Sequence, residues 1–227
     1  VEQIIKKFKP KAILCEKPLA YKPEEAKKII NLCESHNIAL LVNYIRRADP
    51  GILELKKRID ENKIQGPHKA MVWYSKGLMH NGSHFVDLLT FLIGPIKSSK
   101  YISKNKSIKL DSDMDFSLEF KNGSAIFCCL PDKNFSHYAA EIISKNGRIR
   151  YEYDGKITWQ GIVSSENIEN KKSLSPDHEV IPDDMERYQY NIADQLYLAL
   201  LKKQNSLCSG REGLEIVKNL SNLIINN

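Results

Sequence analysis

Two short apolar runs, Ala12-Ile13-Leu14-Cys15 and Ala39-Leu40-Leu41-Val42, constrain this chain more than any other feature. Neither shows the polar alternation of a strand with one wet face, so each predicts a strand buried on both faces. Between them, Pro23 followed by Glu24 and Glu25 starts a helix, with acidic residues where the helix dipole favours them. Ala26, Ile29, Ile30 and Cys33 then recur at helical spacing as far as about Asn37. Strand, helix, strand at this spacing is the right-handed βαβ crossover of a parallel sheet. An amphipathic helix over residues 2–9, ended by Pro10, precedes it. Residues 1–47 thus predict a piece of a doubly wound α/β domain, since two strands are too few to make one.

From residue 48 the pattern predicts an α+β domain running to residue 227. A helix over 50–62 leads to a strand over 68–74, and a helix over 79–93 closes at Gly94-Pro95. Met114, Phe116, Leu118 and Phe120 alternate with polar residues, as Ile149 and Tyr151 do with Arg148 and Arg150. Asn122-Gly123, Asn146-Gly147 and Asp154-Gly155 separate these runs, which is the strongest short-range signal for hairpins. The expectation is a large, open, mostly antiparallel sheet, a meander with one wet and one buried face. The polar segment 164–180 reads as a loop. Helices over 183–203 and 211–225 finish the chain, with Ser209 and Glu212 spaced as a capping box. A large sheet covered by few helices invites self-association, so a homodimer or tetramer through the open face is expected.

Composition removes several classes. Lys+Arg 34 against Asp+Glu 28 leaves a net charge of +6. The basic residues are interleaved with glutamates along the helices, without an arginine cluster or stacking aromatics, so nucleic acid is not an expected partner. No apolar run reaches the ~18 residues of a membrane span. Five cysteines (Cys15, Cys33, Cys128, Cys129, Cys208), an odd number without Cys-x-x-Cys spacing, predict free thiols in a reducing cytoplasm. The chain opens at Val1 without an initiator Met or a secretory signal, inside a helical pattern that reads as a cut edge.

Three places carry residues suited to chemistry. Glu16-Lys17-Pro18 follows the first buried strand, at the edge where open parallel sheets bind ligands. Pro18 fixes the backbone there and is compatible with a cis peptide. Asn43-Tyr44-Ile45-Arg46-Arg47 ends the second strand at the same edge. One of its arginines suits an anionic substrate or a cofactor phosphate, and hinge residues between domains account for the pair equally well. Finally, His80, His84 and Asp87 stand at i, i+4 and i+7, one face of a helix whose neighbours are core-like. That stripe leaves three readings open: polar residues satisfied in the core, a metal site, or an acid–base histidine. The zinc-protease pattern is absent, no metal is expected, and the acid–base histidine is favoured.

In this order, strand-Glu-Lys-Pro, strand-Asn-Tyr-x-Arg-Arg and Gly-x-x-x-x-Gly-x-His-x-x-Asp in a helix ending Leu-x-Gly resemble the Gfo/Idh/MocA oxidoreductases. The turn Ser209-Gly-Arg-Glu-Gly213 resembles the one before that family's last helix. The resemblance covers essentially the whole chain. It implies that residues 1–47 are the end of a Rossmann-type dinucleotide-binding domain and 48–227 a substrate-binding and oligomerisation domain. It also implies a dehydrogenase using NAD or NADP on a sugar, polyol or sugar nucleotide. Lys17 would orient the reacting hydroxyl, and His84 would take or give its proton, with His80 beside it. Glu16, Lys17, Pro18 and Asn43 would meet the cofactor; Arg47, Asp87 and His80 the substrate. Two departures stand out. His80 occupies a position where the family usually has Asp, and no Gly-x-Gly-x-x-Gly turn occurs, so an N-terminal portion of the nucleotide domain is expected to be lacking. A non-catalytic relative, or a fragment serving sugar binding or assembly, is the alternative.

Overall fold

The computed structural model describes residues 1–104, 111, 113–133, 135–152, 154–164 and 171–225. Helix α1 (Glu2–Phe8) leads to β1 (Ala12–Cys15), α2 (Pro23–Ser35) and β2 (Ala39–Val42). β1 and β2 pair in parallel, Ala12 opposite Ala39 through Cys15 opposite Val42, so the crossover expected from the two apolar runs is present. Ile13, Leu40 and Val42 are buried in one cluster with Ala26, Ile30 and Cys33 of α2, and Leu41 in another with Ala48, Ile192 and Leu207. Each of the valine, leucine and isoleucine side chains contributes about 1.5–3 kcal/mol when fully buried.

This small sheet has a third strand. β12 (Cys208–Ser209) pairs antiparallel with β2, Cys208 opposite Val42 and Ser209 opposite Leu41. The helix that follows, α6 (Gly210–Ile225), packs on α2 and β2. Its glycines permit the close approach: a Cβ at Gly210 would come within 2.8 Å of Leu40, and one at Gly213 within 2.8 Å of Val42. The last strand and helix described thus pack onto the unit formed by β1, α2 and β2. The Ser209–Glu212 box is formed: Glu212 Oε2 accepts from Ser209 N at 2.8 Å and from its hydroxyl at 2.7 Å.

The second sheet has nine strands. α3 (Pro50–Asp60) leads to β3 (His68–Ser75), and a π-turn at Leu78–Gly82 leads to α4 (Ser83–Ile93). β4 (Ile96–Lys104), β5 (Met114–Phe120), β6 (Gly123–Leu130), β7 (Ala139–Ser144), β8 (Gly147–Tyr151) and β9 (Ile157–Ser164) follow. They are not a plain meander. β3 lies between β6 and β7, parallel to the first and antiparallel to the second, so the chain between β6 and β7 passes across it. Gly123 is required by that insertion rather than by a turn. It already pairs with Phe120, and a Cβ there would lie 2.1 Å from the His68 carbonyl oxygen.

Two expectations are corrected in the last third. The segment 164–180 is not wholly a loop: β10 (Lys172–Leu174) and β11 (Glu179–Ile181) both pair with β9, while 165–170 lie outside the described residues. The helix expected over 183–203 is a 3-10 turn (Met185–Arg187) followed by α5 (Tyr188–Leu200). On the inner face of the large sheet, Val72, Tyr74, Phe116, Leu118, Phe127 and Ile149 pack with Phe85, Leu88, Leu89 and Leu92 of α4. Phe116 and Phe127 stack at 4.4 Å. On the outer face Trp73, Ile126 and Ile143 remain 39%, 42% and 44% exposed.

Candidate active site

The carboxyl ends of β1 and β2 set the site. Because Cys15 and Val42 are register partners, the residues just beyond them leave the sheet side by side. Asn43 N donates to Cys15 O at 2.7 Å, and Asn43 Nδ2 donates to Glu16 Oε1 at 2.8 Å, tying the two edges together. Asn43 Oδ1 is buried without a partner. The Lys17-Pro18 peptide is cis. Lys17 is half-buried, and its Nζ donates to the backbone carbonyl of His80 in the π-turn.

The stripe of His80, His84 and Asp87 divides. His80 is exposed, His84 mostly enclosed and Asp87 wholly buried. The π-turn, with both Asn81 N and Gly82 N donating to Gly77 O at 3.0 Å, breaks the regular helical spacing between the histidines. His84 packs edge-on against Tyr44, ring centroids 5.8 Å apart, and its Nδ1 is buried without a partner. Burial first, then the charges of Arg46, Lys17 and His80, holds the His84 imidazole well below its ordinary value of 6.5. At neutral pH His84 is therefore a neutral base. Burial and then Arg46 lower the Lys17 ammonium as well. His80 is lowered by burial and by Lys17.

Arg47 and Asp87, expected at the substrate, are instead bound to each other. Arg47 Nε and Nη2 reach Asp87 Oδ2 and Oδ1 at 3.0 and 2.8 Å, and Nη1 reaches Glu212 at 2.8 Å. The pair is 1% and 0% exposed, so neither side chain has surface to offer a ligand. Burial pushes the Asp87 carboxyl up against the opposing pull of Arg47. With this carboxylate taken, the metal reading of the stripe lacks its anionic ligand. Among the described residues no group of three His, Cys, Asp or Glu is placed to hold a metal ion.

Two further residues matter: Arg46, one of the two arginines the sequence left undistinguished, and Asp111, which carried no clear sequence signal. Arg46, 8% exposed, points toward Tyr151, whose hydroxyl accepts from Nε at 3.0 Å. Asp111 accepts from the backbone amides of Met79 at 2.9 Å and His80 at 2.7 Å, holding the same π-turn whose His80 carbonyl accepts from Lys17. Its one trace in sequence is Gly77, at φ +92, where a Cβ would lie 2.2 Å from Asp111 Oδ2.

A parallel βαβ edge thus brings a lysine near a neutral, mostly enclosed histidine on a second, sheet-based unit. A family model described as an oxidoreductase family with an NAD-binding Rossmann fold matches residues 1–44. The chain is 24% identical over 233 residues to inositol 2-dehydrogenase of Rhizobium meliloti (strain 1021), covering 90% of this chain and 67% of that protein. UDP-N-acetylglucosamine 3-dehydrogenase GnnA from Acidithiobacillus ferrooxidans superimposes at a TM-score of 0.76 and 13% identity, covering 93% of this chain and 70% of that one. A levoglucosan dehydrogenase in complex with NADH and levoglucosan does so at 0.72 and 15% identity, covering 95% and 72%. Over residues 1–44 the chain is thus similar to this oxidoreductase family, and it spans about two thirds of the length of the inositol dehydrogenase it matches. Among the described residues no helix is long and apolar enough to cross a membrane.

Proposed function

We propose that this protein is an NAD- or NADP-linked dehydrogenase acting on the hydroxyl or carbonyl carbon of a sugar, polyol or sugar nucleotide. The observation that carries the reading is a half-buried Lys17 at the sheet edge, bonded to the His80 carbonyl, whose charge acts on a neutral His84 of α4 with an unpartnered Nδ1. A neutral imidazole accepts the proton of a reacting hydroxyl, and returns it in the reverse direction. Lys17, anchored through the His80 carbonyl, positions that hydroxyl and stabilises negative charge as it develops on the oxygen. His80 lines the open side, and its charge state bears on His84.

The residues at the edge fit a nicotinamide nucleoside. Asn43 presents a buried, unpartnered Oδ1 while Glu16 fixes its Nδ2, a fixed acceptor for an amide or hydroxyl donor. Glu16, Lys17, Pro18 and Asn43 would hold that end of the cofactor, which when bound supplies the hydride acceptor or donor. Arg47 and Asp87 brace α4 beneath His84 and α6 through Glu212, and so hold the base in place without touching substrate.

The outer face carrying Trp73, Ile126 and Ile143 favours a homodimer or tetramer. Five free cysteines fit a cytoplasmic protein. The test is nicotinamide reduction by the full-length protein with NAD and NADP over a panel of sugars and polyols. Turnover with at least one pair is expected; none with any would leave the assembly role as the better reading.

A further inference from the structure

Arg46 is a buried cation without an acid. Its guanidinium lies 5.4, 5.6 and 5.7 Å from the ring centroids of Phe85, Tyr138 and Tyr151, and its one hydrogen bond among the described residues goes to the Tyr151 hydroxyl. Asp49, a buried acid that also acts on Tyr151, is taken by the amides of Gly51, Ile52 and Asp184 at 2.9, 3.2 and 2.8 Å. Aromatic faces and one phenol replace only part of the hydration a guanidinium loses, and four of its five N–H donors point at no acceptor among the described residues. The largely buried guanidinium therefore keeps unpaired N–H donors that an anion can meet.

The same edge holds two more basic groups. Lys17 and His84 both feel the Arg46 charge. Two acids stand nearby, Glu16 held by Asn43 and Asp111 by two backbone amides, and both act on Lys17, while neither has a hydrogen bond or ion pair to Arg46. Basic groups held together against their mutual repulsion create a field that a negatively charged ligand relieves.

We infer that the carbohydrate bound at this site is acidic, carrying a carboxylate or phosphate that the free Nη groups of Arg46 receive while its reacting hydroxyl lies at Lys17 and His84. The planar fork of a guanidinium matches either anion. The inference rests on the dehydrogenase reading for the sugar, but not for the anion. The other source of such a group is the cofactor, whose phosphates ADP-ribose carries without the nicotinamide.

Calorimetric titration of the full-length protein with D-glucuronate, glucose 6-phosphate, D-glucose and ADP-ribose tests it. One of the two acids should bind at least about tenfold more tightly than glucose, and Arg46→Gln should reduce the preference to about twofold or less. Arg46→Lys should keep part of it, high salt should weaken it, and ADP-ribose should bind both proteins alike. Should Arg46→Gln not fold, as read by circular dichroism, the wild-type ratio and its salt dependence decide the matter. Glucose binding as tightly as the acids, neither acid binding, or a preference that survives Arg46→Gln overturns the inference. So does a loss in Arg46→Gln that falls on ADP-ribose instead. An acid bound through Arg46 but oxidised with neither nicotinamide cofactor would keep the inference and remove the dehydrogenase reading. A neutral sugar oxidised equally well by both proteins would do the reverse.

Discussion

Arg46 and Arg47 leave the same 3-10 turn after β2 and are both buried, at 8% and 1% exposure, yet only Arg47 meets carboxylates. Arg47 spends its fork on Asp87 and Glu212 and so joins α4, α6 and the small sheet into one body. Arg46 meets aromatic rings, a phenol and two other basic groups. A buried charge whose partners lie within the chain serves the fold. One left short of partners near an unpartnered histidine is the one we assign to a ligand.

The largest effect should come from breaking the satisfied half. Arg47→Met leaves Asp87 buried without its cation, and should cost about 3–5 kcal/mol of stability in denaturant unfolding. A loss below about 1 kcal/mol would show that Asp87 had another partner or reached water.

Next is the unsatisfied half. His84→Asn should lower kcat at least about a hundredfold with little change in stability, because it removes a proton acceptor and no internal hydrogen bond. An unchanged kcat would remove His84 from its role. The sign of its titration is defined as well. The folded value lies below 6.5, so protonation favours the unfolded chain. The contribution of neutral His84 to stability is then full above pH 6.5 and is lost as pH falls toward the folded value. In kcat/KM, the acid limb should lie below pH 6.5.

The smallest effect concerns the strap that links the two halves. Ser209→Ala removes the hydroxyl from the capping box of α6, and should cost ~1 kcal/mol in unfolding experiments without altering kcat. A fall in kcat instead would mean that Glu212 holds Arg47, and through it α4, only when capped.

What the sequence disclosed follows the range of the interaction. β1, α2 and β2 were readable because burial on both faces leaves a continuous apolar run, and Lys17 because it directly follows one. The capping box was readable because its partners are three residues apart. The insertion of β3 between β6 and β7, and the return of β12 to β2, were not, since pairing across many residues leaves no local pattern. Asp87 looked like a ligand because a buried carboxylate on a helix face is compatible with either fate. Its partner, forty residues earlier, decided the matter. Arg46 and Arg47 are the same residue type side by side, so only the folded surroundings separate them.

The most direct test is the protonation of His84 itself, followed by nitrogen NMR of the histidine rings in the full-length protein and assigned with His84→Asn. His84 should stay neutral down to below pH 6.5, and its titration should move up in Arg46→Gln, where one of the nearby charges is gone. A His84 that titrates at or above 6.5, or one indifferent to Arg46, would contradict it.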